Sequence, residues 1–436
     1  MDSAVAEPAA ALPGLWDSGW RARVPALQHR DFRILWLGMF FSSATMMFQF
    51  YAQGWFILGL TSSAALLGFL GVTRGTGMLI FGLYGGALAD RMDRRMLLIV
   101  TQSAALVTYA VLSALIIADR IALIPAFALI FVAASVESVD APARQALIPH
   151  LVPREHLPNA VALFIAAQVS AYAFLPPLAG VAIDLVGSGG AFASSLIGHA
   201  VVVGALLIMK TRAQIAPRPE SVPASVARGI RYAAGQPNVL WVLLFGFFVG
   251  TLGFPIISTL APFWMHNELG LGPVGWTFMG WIWGLGTLVS TVYLSTHNVT
   301  RRLGPLVLVS AAGFGLTLVV FGLTRFLPLA AAMWCLNGTF YTANMISSTS
   351  LLQVLVANAY MGRVMSLRLI SSALNQIAAA PLGALGDAFG MGRMVPGAAG
   401  LLAALVIVIP LLLRGARDLQ APATTAEADP AAAGGQ

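Results

Sequence analysis

The feature that most constrains this chain is a series of apolar runs, each long enough to cross a bilayer. A helix needs roughly 20 predominantly apolar residues to span the hydrocarbon core. Runs of that kind lie near 33–57, 63–89, 96–118, 122–143, 159–183 and 190–209. A second set lies near 239–264, 272–295, 304–323, 326–350, 362–386 and 392–413. Only 9% of the 436 residues are charged, against 58% hydrophobic. A water-facing surface normally needs about 25% charged residues. Lipid is the remaining solvent, and the expected fold is an all-α membrane protein of twelve transmembrane helices.

The net charge of +7 and the pI near 10.1 suit a nucleic-acid partner only if the cations cluster on one soluble face. They do not. With twelve spans and both ends inside, the inner segments hold twenty of the 24 Lys and Arg residues, Arg368 among them. The outer loops hold Arg120, Arg325 and Arg393, and Arg74 is left inside a span. This asymmetry follows the positive-inside rule and places both termini in the cytoplasm. No nucleic-acid partner is expected, and the lipid bilayer is the principal partner.

The longest polar stretch within the membrane region, 210–238, is basic and carries Pro217, Pro219, Pro223 and Pro237. It reads as a cytoplasmic linker between six-helix bundles over 31–209 and 239–414. Residues 1–30 hold no apolar signal region and read as a cytoplasmic tail, and 415–436 as a disordered one. The bundles repeat weakly. Gly180-x-x-x-Asp184-x-x-Gly187 recurs 203 positions later as Gly383-x-x-x-Asp387-x-x-Gly390. Repeated halves are what a transporter rocking about a midplane site requires. Small residues four apart, Gly71 with Gly75 and Gly280 with Gly284, suit close helix packing in lipid.

Between the second and third runs stands Gly86-Ala87-Leu88-Ala89-Asp90-Arg91-Met92-Asp93-Arg94-Arg95, a tight turn followed by dense mixed charge. Anchoring at an inner membrane surface explains the arginines, but neither the aspartates nor the fixed glycine. The segment closely resembles the loop signature Gly-x-x-x-Asp-Arg-x-x-Arg-Arg of the major facilitator superfamily. Asp31-Phe32-Arg33-Ile34-Leu35-Trp36, Pro142-Ala143-Arg144-Gln145-Ala146-Leu147-Ile148-Pro149, Leu151-Val152-Pro153-Arg154-Glu155 and Gly362-Arg363-Val364-Met365-Ser366-Leu367 are similar to the branch holding the enterobactin exporter and drug-efflux proteins.

The resemblance implies a cytoplasmic gate of Gly86, Asp90, Arg91, Arg94 and Arg95. Asp140 is expected as their acidic partner, a proton carrier being the alternative, on a helix that kinks or ends at Pro142. It also implies proton-coupled efflux of amphipathic small molecules across a bacterial cytoplasmic (inner) membrane, by a monomer without covalent chemistry. Uptake is the alternative direction. Pro176-Pro177-Leu178-Ala179-Gly180 departs from the exporters' Gly-Pro-x-x-Gly element but still implies a kink.

Arg74 and Glu137 stand in spans two and four, roughly 16 and 20 Å deep at about 1.5 Å per residue. Each buried charge costs about 2.5–3.5 kcal/mol if unpaired. A pair is expected, serving either ion coupling or structure. Gln49 and Gln53 on span one, Tyr341 and Asn344 on span ten, and Asn375 and Gln376 on span eleven are the expected substrate contacts, interhelical bonding being the alternative. Phe48, Tyr51, Phe254, Trp281 and Trp283 offer an apolar wall, whereas Trp55 and Trp276 suit the interfacial aromatic belt. One cysteine, Cys335, excludes an internal disulfide. The six histidines lack metal-ligand spacing and no phosphate loop appears, so no metal, cofactor or enzymatic reaction is expected.

Overall fold

The computed structural model describes residues 24–82, 92–210, 222–297 and 303–413, and these residues are helical throughout, with short turns. Ten helices are long and apolar enough to cross a membrane. The backbone explains why helices alone serve: in lipid every N–H and C=O must be bonded within its own segment.

Helix α1 covers Arg30–Leu60 and α2 Ala64–Gly77, the latter running on into a π-turn over Met78–Gly82. Helices α3, Arg94–Ile117, and α4, Leu123–Leu147, follow. Helix α4 passes through Pro142 and ends five residues later, so the helix does not end at that proline. Helix α5, Leu157–Phe174, stops just before Pro176, where α6 begins and runs to Ile208. The paired prolines thus produce the expected interruption, because proline suits a helix's first turn and not its interior. Helix α6 bends sharply at Gly187, whose φ of 69° is open to glycine and strained for other residues.

In the second part, α7, Val222–Ala234, is a helix within the stretch expected to be a plain linker. It docks on the chain beyond it. Gly229 lies against the Arg363 carbonyl, and Tyr232 stacks on Tyr360 at 4.3 Å. Helix α8, Pro237–Phe248, continues through two π-turns flanking Pro255 into α9, Ala261–Leu269. Helices α10, Pro273–Thr296, α11, Leu303–Leu323, and α12, Leu327–Leu355, follow. The set closes with α13, Asn358–Ile377, α14, Ala379–Phe389, and α15, Met391–Leu412.

Helix α1 packs on α6, and α3 on α4 and α6; in the second part α12 packs on α10 and α11, and α11 on α15. Two seams join the parts, α2 against α13 and α14, and α6 against α10. The first seam is backbone to backbone. A Cβ on Gly71 would strike the Gln376 carbonyl, one on Gly68 the Ala379 carbonyl, and one on Gly383 the Ala64 carbonyl. At the start of α2 Asp387 accepts from Ser63 Oγ at 2.5 Å and from the Ala64 and Ala65 N–H groups at 2.6 and 3.0 Å. A carboxylate from α14 thus caps the positive end of α2. Trp276 is buried against Tyr51 and Gly54 at the same level, a seal between the parts and not an aromatic-belt residue.

Overpacking a close helix crossing typically costs 1–3 kcal/mol, whereas Gly to Ala in an open helix position gains up to about 1 kcal/mol. Gly71→Ala is therefore expected to lower the thermal unfolding midpoint in detergent. Gly246→Ala, with nothing within 4 Å of the added carbon, should leave it unchanged or raise it. Equal midpoints would mean that the seam is not tight.

Candidate functional site

Arg74 sits mid-way along α2, one turn before the π-turn, and the lipid environment forces its guanidinium inward. It does not reach Glu137. Its Nε and Nη2 donate to Gln53 Oε1 at 2.9 and 2.5 Å. Gln53 Nε2 donates to Tyr109 Oη at 3.1 Å, and Tyr109 Oη donates to Glu137 Oε1 at 2.9 Å. The expected ion pair is thus replaced by a relay with two neutral side chains between the charges. Phe50 covers the other side of Arg74, with the guanidinium carbon 5.2 Å from the ring centroid. The amide is suited to this place because it accepts from the cation and donates onward at once.

A second buried chain runs toward the inner face. Gln49 Nε2 and His199 Nε2 are 2.8 Å apart, and His199 Nδ1 lies 2.8 Å from Gln102 Oε1. With the amide donating to Nε2 and Nδ1–H donating to Gln102, the imidazole is neutral. Gln102 Nε2 donates to Asp140 Oδ1 at 2.9 Å, joined there by Thr101 Oγ1 at 3.1 Å. Arg144, one turn further along α4, binds Asp140 Oδ2 through Nε at 3.0 Å and Nη2 at 2.5 Å. Tyr109 stacks on His199 with centroids 5.7 Å apart and so links the two chains. His199 is only 4% exposed. The sequence reading considered the histidines only for metal-ligand spacing and assigned no site role to His199, Tyr109, Gln102 or Arg144. Its position inside the apolar run 190–209 is the signal that marks it.

Of the expected gate residues, Gly86, Asp90 and Arg91 lie outside the described residues. Asp93 caps α3 by accepting from the Arg95 N–H at 2.9 Å. Arg94 Nη1 lies 2.5 Å from His150 Nε2, and Arg95 donates to the Leu206 and Leu207 carbonyls at 2.6 and 3.0 Å. These last bonds cap the carbonyl end of α6. Asp140 takes its counter-charge from Arg144 on its own helix, where a loop arginine was expected.

The expected substrate contacts divide. Gln49 is 2% exposed and ties α1 to α6, bonding Ser195 Oγ as well as His199. Asn344 donates to the Val307 carbonyl at 3.0 Å and ties α12 to α11. In this conformation both amides serve interhelical bonding. Tyr341, by contrast, is partly exposed within an aromatic group. Phe254 stacks on it at 5.5 Å, and Trp283 and Phe314 approach to 5.6 Å. Asn375 lies against Gly250 of α8's first π-turn. Its Oδ1 and the Oε1 of Gln376 are buried without a hydrogen-bond partner. A buried acceptor left unpaired costs about 1–3 kcal/mol, so these two oxygens mark a local cost of this conformation. A cleft of about 340 Å3 near Thr61 and His266 is remote from all of these groups.

Arg368 also belongs to this region. The sequence reading counted it with the inner cations, yet it lies about 15 Å along α13 from Asn358 at 1.5 Å per residue. Its Nη1 donates to Thr349 Oγ1 at 2.6 Å.

Removing the amide of Gln53 leaves the Arg74 guanidinium buried without its acceptor. Gln53→Leu is expected to destabilise the protein by about 1–3 kcal/mol, read as a lowered unfolding midpoint. An unchanged midpoint would show that the relay does not hold Arg74.

The all-helical fold agrees with the comparisons to known proteins. No curated sequence relative matches the chain. Solved structures share its fold at low identity. A POT family transporter in complex with 5-aminolevulinic acid superposes with a TM-score of 0.72 at 13% identity, covering 89% of this chain and 96% of that one. A bacterial homologue of the iron transporter ferroportin, in an inward-facing state, gives 0.67 at 15% identity, covering 87% and 98%. A D-xylose–proton symporter gives 0.64 at 14% identity, covering 85% and 96%. The sequence model of the transmembrane secretion effector family matches residues 22–431, and the chain belongs to that family of major facilitator superfamily transporters.

Proposed function

We propose that this membrane transporter exports amphipathic small molecules, driven by a proton gradient, by alternating access between two six-helix halves. The observation that carries the reading is the setting of Glu137. Its bond comes from a neutral phenol, and Gln53 stands between it and Arg74. A carboxylate held in that way takes up a proton without breaking an ion pair. The relay then has two charge states at mid-membrane, which is what coupling to a proton requires. Gly86, Asp90, Arg91, Arg94, Arg95 and Asp140 form the proposed cytoplasmic gate. Gln53, Tyr341, Asn375 and Gln376 face the proposed substrate path, whereas Gln49 and Asn344 support it from behind.

The proposed twelve spans take α5 with the arm of α6 before Gly187 as one span and the arm after it as another, and add the more polar α12 to the ten candidates. The proposed halves are residues 31–209 and 239–414, joined by 210–238. The proposed orientation, supported by the positive-inside count, has both termini on the cytoplasmic side of a bacterial inner membrane; in that orientation the contacts at Asp387 and Trp276 lie at the outer face and support an outward-closed reading. Export, not uptake, suits the secretion named in the family's description. The protein works as a monomer, with a small molecule and protons as its partners.

Sealed vesicles carrying the purified protein test the reading. Solute movement driven by an imposed pH gradient and abolished by a protonophore is expected. Glu137→Gln should eliminate gradient-driven movement while leaving solute exchange across the membrane. Undiminished gradient-driven transport in that variant would remove Glu137 from coupling.

A further inference from the structure

From residue 222 to residue 413 the chain contains two carboxylates, Glu268 and Asp387. Both stand at helix ends and both are engaged. Glu268 binds Arg325 at 2.5 Å, and Asp387 caps α2. Among the described residues Arg368 therefore has no acidic partner on its own side of the molecule, and its bond goes to a threonine hydroxyl. Across the seam, Arg74 is bonded to an amide oxygen and faces a phenyl ring. The carboxylates deep in the first part are directed elsewhere, Glu137 to Tyr109 and Asp140 to Arg144. The interior thus holds two guanidinium groups whose nearest oxygens are neutral.

Asn375 stands two turns beyond Arg368 on the same face of α13, about 10 Å along the axis. Its carbonyl oxygen lacks a donor. Tyr341, flanked by Phe254 and Trp283, stands two turns along α12 from Thr349, the hydroxyl that Arg368 bonds. Cation and aromatic group are thus about 12 Å apart along that helix, within the length of a small aromatic molecule.

We propose, resting on the transporter reading above, that the cargo is an amphipathic organic anion, its acidic group held by Arg368 and its aromatic body on Tyr341. Arg74, on the opposite wall, supplies the same sign of field. Guanidinium bonds carboxylates in pairs and more strongly than it bonds a hydroxyl. An anion therefore displaces the Thr349 contact with a gain, and a cationic drug meets repulsion.

The experiment uses full-length protein in lipid nanodiscs and three fluorescent probes of one shape: a hydroxynaphthoate, its neutral amide and the matching aminomethyl cation. Probe fluorescence and quenching of tryptophan emission report binding. The carboxylate is expected to bind about tenfold or more tighter than the amide, the scale of one charge-assisted bond, and the cation weakest. In Arg368→Gln the carboxylate should fall to the affinity of the amide, and Arg368→Lys should keep part of the preference. Should Arg368→Gln fail to fold, the wild-type ranking and the lysine variant decide. Binding of the cation as tightly as the anion, a preference that survives Arg368→Gln, or no binding by any probe would overturn the proposal. Loss of gradient-driven transport with the ranking intact removes the coupling reading alone. The opposite result removes only the assignment of cargo charge.

Discussion

The bond between Arg74 and Gln53 is the contact on which the first part of the structure depends. A guanidinium in the middle of a bilayer is tolerated only if its donors are met. Meeting them with an amide, and not with the carboxylate four helices into the chain, fixes α2 against α1. The amide's remaining N–H then reaches Tyr109 and brings in α3, and the phenol brings in Glu137 and α4. One buried cation thereby sets the relative placement of four helices. The His199 chain adds α6 to the same assembly through Gln49 and Gln102.

Directed hydrogen bonds of this kind contribute about 0.6 kcal/mol on average between membrane helices, with larger values up to about 1.7. Single bonds of that size do not hold a bundle together. Their weight lies in specificity, because each donor has one acceptor at the right depth. The second part uses the same device sparingly. Asn337 and Asn344 tie α12 to α11, but no carboxylate takes part, and Arg368 is left toward the interior with a hydroxyl. The two parts thus differ in electrostatic character despite their similar helices. One is internally neutralised by relays, and the other presents an uncompensated cation.

Much of the architecture was legible in the sequence because lipid simplifies the code. Apolar runs gave the helices to within a few residues, and Pro176 and Gly187 marked a break and a bend where they were expected. The interior was harder to read. Depth alone made Arg74 and Glu137 look like a pair, since periodicity places residues along a helix but does not reveal a glutamine standing between two others. Pro142 suggested a helix end, yet packing of α4 between α2 and α3 carries the helix through it. His199 was overlooked because a neutral imidazole in an apolar run has no signature beyond its position. Arg368 was assigned to the inner surface because it lies near the start of its run, and only the helix axis places it deeper. The amphipathic α7 was hidden by flanking prolines and polar residues that read as linker.

The distribution of bonds also bears on how such a molecule can move. The relays through Tyr109, His199 and Asp140 stay within residues 49–199, so they keep that part rigid and need not break when it tilts. Across the seam between the parts the contacts are of another kind. Glycines of α2 lie against carbonyls of α13 and α14, an approach that releases without leaving a charge unpaired. The seam also carries a carboxylate, Asp387, on the first turn of α2. That carboxylate is exposed and exchanges its three bonds for water as the seam parts. Strong polar bonding inside a part and replaceable bonding between parts is the condition for rocking as a rigid body. Here it follows from where the sequence puts its few charges.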